Sequence, residues 1–338
     1  MKRTFTIYIT VISILISAGG SSCTRDNGPE INYESGVFPE ETFNLEGINS
    51  SYDDFNVALP QIAGDLPLMF SSNRNSQGAH FDIVTAYIYF AFSQVDAEFI
   101  IQSGMLNESF YQAMEAKVNT GRDELGPYRL FNGNNGLEYF FYSEENAGGK
   151  LNLKYLSYSP ADPYNSLLVQ ETAEITALNS SDNDAYICFD GDFTTVYFTS
   201  DGNGDFDIME AAIEDGMGFN SWLEGDLASI SVTDSVNSDF DDKCPFIRNN
   251  IMLFASDRPG GMGGFDLYYS VYSDGKWSSP YNMGPEINTE YNEYRPLIGS
   301  CPGYSNNFLL FSSDRPSGLG GYDLYFRGID ISILAEPL

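Results

Sequence analysis

Asp201, Asn203, Asp205 and Asp207 place oxygen donors at alternate positions, the pattern of a calcium-binding loop. The match is partial: Phe206 stands where the sharp turn of such a loop needs Gly, and Ala212 where a bidentate Glu is needed. Asp207 also aligns with Asp82, Asp266 and Asp323 in similar segments, so a repeated structural hydrogen bond is the preferred assignment and calcium only a candidate. No cofactor is expected. His80 is the single histidine, which excludes a multi-histidine zinc or iron site. A Ser-His-Asp triad would have to use it, and no nucleophile motif accompanies it. Glycoside cleavage needs two carboxylates in distinct roles. Among 48 acidic residues the conspicuous ones, Asp257, Asp266, Asp314 and Asp323, recur from segment to segment and so are expected to be scaffold.

The segment Leu253-Phe254-Ala255-Ser256-Asp257-Arg258-Pro259-Gly260-Gly261, continuing to Gly264-Phe265-Asp266-Leu267-Tyr268, returns as Leu310-Phe311-Ser312-Ser313-Asp314-Arg315-Pro316 and Gly321-Tyr322-Asp323-Leu324-Tyr325. Shorter copies surround Phe70, Phe141 and Phe198, and the five aromatic anchors are 71, 57, 56 and 57 residues apart. Each unit has the pattern of a buried strand, a Gly/Pro hairpin and a second, alternating strand. A further short strand lies upstream of each anchor. Four short strands per repeat is the composition of a propeller blade. The fold class expected is therefore all-β, a single five-bladed β-propeller of four-stranded antiparallel blades.

The stretches 43–55 and 281–294 are near-copies, and the fifth unit ends soon after Tyr325. The N-terminal stretch 39–45 is thus expected to complete the last blade and close the ring, which removes exposed sheet edges. Equivalent outer strands are expected at 113–118, 171–175 and 226–230. Trp222 and Trp277, 55 residues apart, are placed at matching outer-strand positions and assigned to packing. Inner strands at 53–56, 123–128, 184–187, 241–244 and 292–295 should line the channel. Their polar residues Asp54, Glu124, Asp184, Asp242, Glu293 and Arg295 are the ligand-binding candidates at its mouth. The long first interval carries an insert around 95–111, a candidate specific feature.

These Ser-Asp-Arg-Pro-Gly-Gly and Gly-Phe-Asp-Leu-Tyr segments, with Trp277 in Asp274-Gly275-Lys276-Trp277-Ser278, resemble the TolB-like, WD40-like β-propeller repeat family. The resemblance covers most of residues 37–330 and implies a propeller, often on periplasmic or outer-membrane proteins; it implies no single chemistry.

Lys2 and Arg3 precede an apolar run from Phe5 to Ile16 and then small residues up to Cys23, the order of a secretory signal. Gly20-Ser21-Ser22-Cys23 resembles a bacterial lipobox, although Gly20 stands where Leu or Val is usual; the resemblance implies cleavage before Cys23 and lipidation of its sulfur. The expected organisation is a leader over 1–22, a polar tether over 23–36 and the propeller over 37–338. The chain carries a net charge of −32, which repels phosphate backbones and excludes general nucleic-acid binding. A hydrophobic content of 42% with 15% aromatics supplies a core despite that charge. Beyond Cys23 three cysteines remain, Cys188, Cys244 and Cys301, whose pairing the sequence leaves open. The expectation is a non-enzymatic, lipid-anchored outer-membrane protein, facing periplasm or exterior, that engages a protein partner through a propeller face. The alternatives are a glycan-binding lipoprotein of a polysaccharide capture system and, less favoured, a carboxylate-dependent glycosidase.

Overall fold

Phe70, Phe141, Phe198, Phe254 and Phe311 each occupy the second strand of a blade and are at most 1% exposed. Burying each such ring stabilises the fold by about 1.5–3 kcal/mol. The computed structural model describes residues 35–60, 66–93, 98–159, 169–214, 218–316, 318–332 and 334. The expected leader, Cys23 and nearly all of the tether lie outside the described residues. From Ser35 onward the chain forms one unit: five antiparallel sheets in ring order, a five-bladed β-propeller.

Blade I runs Asp54–Ala58, Leu66–Ser72, Asp82–Ser93 and Glu98–Met105 from channel to rim. Blade II is Glu124–Asn132, Leu137–Glu145, Leu151–Tyr158 and Ala173–Glu174. Blade III is Asp184–Phe189, Thr195–Ser200, Asp207–Ala212 and Ile230–Val232. In blade IV, Asp242–Arg248, Ile251–Ser256 and Asp266–Ser273 are followed by two short rim strands, Lys276–Trp277 and Tyr281–Asn282, both paired to the third. Blade V is Glu293–Gly299, Asn307–Ser313 and Asp323–Ile329. Its rim strand is Phe43–Asn44 from the other end of the propeller, with Phe43 opposite Phe326 and Asn44 opposite Tyr325. The ring closes as the near-copy of 43–55 and 281–294 requires.

Two expected outer strands are corrected. Residues 113–118 form the second half of a helix, Ser109–Val118, whose Phe110, Met114 and Val118 lie four apart and are all buried. Good helix formers fill the run between them, and Phe110 packs edge-on to Tyr158 at 5.0 Å. The insert itself supplies the fourth strand of blade I. Trp222 lies on a short helix, Phe219–Leu223, rather than on a strand. Trp277 is on a rim strand, where its indole N–H donates to Tyr197 Oη at 3.2 Å. Both tryptophans are buried in one cluster that runs through blades II to IV.

An asparagine joins each rim strand to the next inner strand. Asn49, Asn119, Asn179, Asn237 and Asn288 each use the side-chain oxygen to accept a backbone N–H, from Leu324, Ile83, Leu153, Ile208 and Leu267 respectively. Each donates its side-chain N–H to the carbonyl of the same residue at 2.8–2.9 Å. The amide thus imitates one more residue of a paired strand. Asn288→Ala removes this pair of bonds from a residue only 1% exposed, and leaves buried backbone groups unpaired at about 1–3 kcal/mol each. The expected loss is about 2–4 kcal/mol, read as a lower urea midpoint at an unchanged slope.

Candidate functional site

Each stapling asparagine is followed by Ser or Thr, and five positions beyond the asparagine lies an acid that opens the inner strand. These acids are Asp54, Glu124, Asp184, Asp242 and Glu293, all at most 1% exposed. Each accepts the backbone N–H of the residue four before it: Ser50, Thr120, Ser180, Ser238 and Thr289. In blades I, IV and V an arginine from the neighbouring hairpin, Arg74, Arg258 or Arg315, pairs with the acid. The same guanidinium stacks on the anchor phenylalanine at 5.2–5.3 Å. The structure therefore places these five candidates in equivalent positions under the surface rather than at an open mouth.

Blade II has no such arginine. Glu124 instead lies near Glu144, and one of its oxygens has no hydrogen-bond partner. Burial, reinforced by Glu144 and Asp82, pushes its carboxyl up to about 7, against the Thr120 hydrogen bonds. The folded state then holds a proton that the unfolded chain releases near the usual Glu value. This contribution is complete below that value and is lost as pH rises toward 7. Glu124→Gln keeps the protonated shape. Its melting temperature is expected to exceed that of the parent at pH 8 and to match it at pH 4, in paired thermal scans.

Three of the four calcium candidates, Asp201, Asn203 and Asp207, are bonded to one another or to the scaffold. Asp201 accepts the backbone N–H of Asn183 at 2.8 Å, and Asn203 donates its side-chain N–H to Asp207 at 3.1 Å. Among the described residues no three His, Cys, Asp or Glu converge as a metal site. His80 sits 3.6 Å from Asp82. Cys188, Cys244 and Cys301 are free thiols. Burial raises Cys188 to about 12 and Cys244 to about 11, so neither is a ready nucleophile.

Two residues past each acid, the inner strand bulges, and the bulged residue has a left-handed backbone. These residues are Asn56, Gly126, Tyr186, Cys244 and Arg295, with φ between 48° and 62°. A bulge re-aims its side chain, and this one forms the ring at mid-channel. Gly126 is needed there because a Cβ would fall 2.5 Å from the Tyr186 ring. Arg295, the sixth candidate, spans the channel: it donates to the Pro127 carbonyl at 2.9 Å and lies 5.7 Å from the Tyr186 ring centre. Strand alternation alone does not reveal this ring.

Above it, Phe55, Phe81, Phe265, Tyr294 and Tyr322 contact one another at 4.7–6.5 Å between ring centres and close the channel. Lys243 stands 4.0 Å over Phe206 and 5.3 Å from Phe265. Around this aromatic floor runs a second repeated pair. In blades I, III and V it is an amide bonded to a carboxylate: Asn73 to Asp53, Asn183 to Asp201 and Asn292 to Asp314. Blade II has Asp123 and Glu145. Blade IV has two aspartates, Asp241 and Asp257, their segments tied by the Asp257 N–H to the Asp241 carbonyl at 3.3 Å. Lys243 binds Asp241 at 2.8 Å. Partial burial, with the Asp241 charge beside it, raises the Asp257 carboxyl above its usual value, although its side chain remains open to solvent. Blades II and IV thus both carry two acids in place of the amide–carboxylate pair, and in blade IV one carboxyl is ion-paired while the other is open to solvent. This arrangement can hold one proton between a donor and an anion. On sequence alone Asp257 belongs to the scaffold because it recurs as Asp201 and Asp314; aligning Asp241 with Asn183 and Asn292 and Asp257 with Asn73 shows where an amide is replaced by an acid.

No protein-family model matches the sequence, and no characterised protein matches it by sequence. Solved structures do match the fold. A thermostable family-43 glycoside hydrolase superposes with a TM-score of 0.54 at 14% identity, over 84% of this chain and 91% of its own. The catalytic domain of a Coprinopsis cinerea GH62 alpha-L-arabinofuranosidase gives 0.51 at 12%, over 86% and 97%. An alpha-L-arabinofuranosidase from Lactobacillus brevis gives 0.50 at 9%, over 82% and 90%. The chain has the five-bladed fold of these glycoside hydrolases. The expected TolB-like kinship is corrected accordingly, and so is the expectation of a non-enzymatic protein-binding scaffold: the matched propellers are enzymes acting on glycosides. At such identities the likeness establishes the architecture, and the chemistry rests on the residues.

Proposed function

We propose that the protein is a carbohydrate-active enzyme that cleaves glycosidic bonds at the aromatic-floored mouth of the propeller. The observation that carries this is the Asp241–Asp257 pair, which, like Asp123 and Glu145 of blade II, puts two acids where other blades have an amide and a carboxylate, and which is flanked by Lys243, Phe206 and Phe265. Asp257, holding its proton to higher pH than a free aspartate, is the proton donor to the leaving oxygen. Asp241, ion-paired with Lys243, stabilises positive charge developing on the sugar or activates water. The partly buried rings of Phe206, Phe265 and Tyr322 offer apolar faces on which a sugar stacks. The matched folds support this reading through two arabinofuranosidases.

The protein is further proposed to be exported and lipid-anchored through Cys23 on the outer membrane, facing periplasm or exterior, where polymeric glycans or their fragments arrive. The support is the leader-like order of residues 1–22. Cys23→Ser is expected to move the protein from the membrane to the soluble fraction on fractionation of expressing cells. Retention of the variant in the membrane would remove the anchor.

The activity is tested by product release from an aryl α-L-arabinofuranoside and a panel of arabinan, xylan and galactan. Turnover should fall as pH rises through the raised Asp257 value, because the donor proton is lost. Asp241→Asn should lower kcat about 100-fold or more. A panel with no product, or a variant with full turnover, rejects the reading.

A further inference from the structure

The far end of the channel, where the inner strands finish, opens into a cavity of about 350 Å³, the size of a small-molecule site. Apolar groups of Val57, Pro60, Phe246, Leu297 and Phe308 form much of its wall. Three arginines also line it, and among the described residues no carboxylate does. This is notable in a chain of net charge −32. Arg129 is neutralised by Glu138. Arg248 and Arg295 are not: of the eight arginines among the described residues, the other six sit in ion pairs with acids.

Among the described residues these two guanidiniums meet only neutral groups. Arg248 donates to the Ile298 carbonyl at 3.3 Å and to Ser300 Oγ at 2.8 Å. Arg295 donates to the Pro127 carbonyl, and its Nη1 is buried with no partner although the residue is only 3% exposed. A guanidinium carries five donors in a planar fork and does not lose its proton. Burying that charge without a counter-charge is costly, and Arg295 is also held at φ 48° by its bulge. Burial lowers the Arg248 value, which reports the same uncompensated charge. A scaffold role is poorly served by this arrangement, since the equivalent position in other blades carries Asn56, Gly126, Tyr186 or Cys244. An anion entering the cavity would meet unsatisfied donors on its floor and a second cation at its edge.

We propose that this cavity is a binding site for a small organic carboxylate, its anionic group held by Arg295 and Arg248 and its apolar or sugar-ring body against the wall of Leu297, Phe246 and Phe308. A carboxylate is preferred to a tetrahedral anion because its two coplanar oxygens match the guanidinium fork and because half the wall is apolar. The site lies at the opposite end of the channel from the Asp241–Asp257 pair and does not depend on the proposed cleavage.

The test is calorimetry on the full chain with sodium benzoate, sodium glucuronate, inorganic phosphate and neutral glucose. The expected result is 1:1 binding of a carboxylate, weakened at least tenfold in Arg248→Gln and unchanged in Asp257→Asn. The half-buried Arg248 leaves the channel ring intact when replaced; Arg295→Met, followed by its melting curve, probes the floor. Phosphate binding as tightly as either carboxylate, no binding of benzoate or glucuronate, or binding that survives Arg248→Gln overturns the proposal. Loss of glycoside cleavage in Asp257→Asn with carboxylate binding retained separates this site from the proposed active site.

Discussion

The side-chain amide that completes each blade is the interaction on which the rest of the propeller depends. A rim strand of two residues, such as Phe43–Asn44 or Ala173–Glu174, has too little ladder of its own to hold a sheet edge. The following asparagine adds a two-bond pairing to the third strand. From there the chain turns inward, and the Ser/Thr–acid hydrogen bond four residues apart fixes where the next inner strand begins. Asp or Asn one residue before that acid then accepts the N–H that starts the preceding blade's third strand: Asp53 from Tyr322, Asp123 from Phe81, Asn183 from Leu151, Asp241 from Phe206 and Asn292 from Phe265. Five copies of one short polar segment hold five blades in register.

That constraint explains why so acidic a chain packs so tightly at its centre. Apart from one oxygen of Glu124, the acids of the inner ring are consumed by backbone N–H groups, hydroxyls and arginines, so they contribute order rather than a ligand surface. It also explains the double glycines of the strongest repeats. A Cβ on Gly263 or Gly320 would lie 1.9 Å from the carbonyl of Tyr291 or Tyr52 in the adjoining blade segment, so only glycine permits the hairpin to approach. Function is left to places where the surroundings of the repeat differ: the two aspartates of blade IV beside Lys243 on one face, and the arginines of blades IV and V that lack an acid at the other end of the channel.

Much of this was legible in the residues. The phenylalanine anchors and the near-copy of 43–55 at 281–294 specify blade number and closure, because both reflect burial that every blade must repeat. The Ser-Asp-Arg segments suggest a different kinship, whereas their arginines serve the fold by pairing with the acid that opens the inner strand of the same blade. The acids were assigned to the channel mouth by their type. Their Ser/Thr partner four residues earlier, readable at Ser50–Asp54 and Thr289–Glu293, assigns them to the interior. The helix at Ser109–Val118 was missed because a single blade departs from the period there. The bulge that turns Arg295 into the channel leaves no mark on alternation, since it arises from the pairing of two strands rather than from either alone.

The central claim is that the repeated acids build the propeller and that one pair of them, Asp241 and Asp257 beside Lys243 and two aromatic rings, also does the chemistry. The most direct measurement compares glycoside turnover and urea unfolding in Asp257→Asn and in its repeat counterpart Asp314→Asn. Asp314 accepts both the backbone and side-chain N–H of Asn292. The account predicts that Asp257→Asn loses turnover at parental stability, whereas Asp314→Asn loses stability and keeps turnover while folded. Equal effects of the two substitutions on turnover would contradict it.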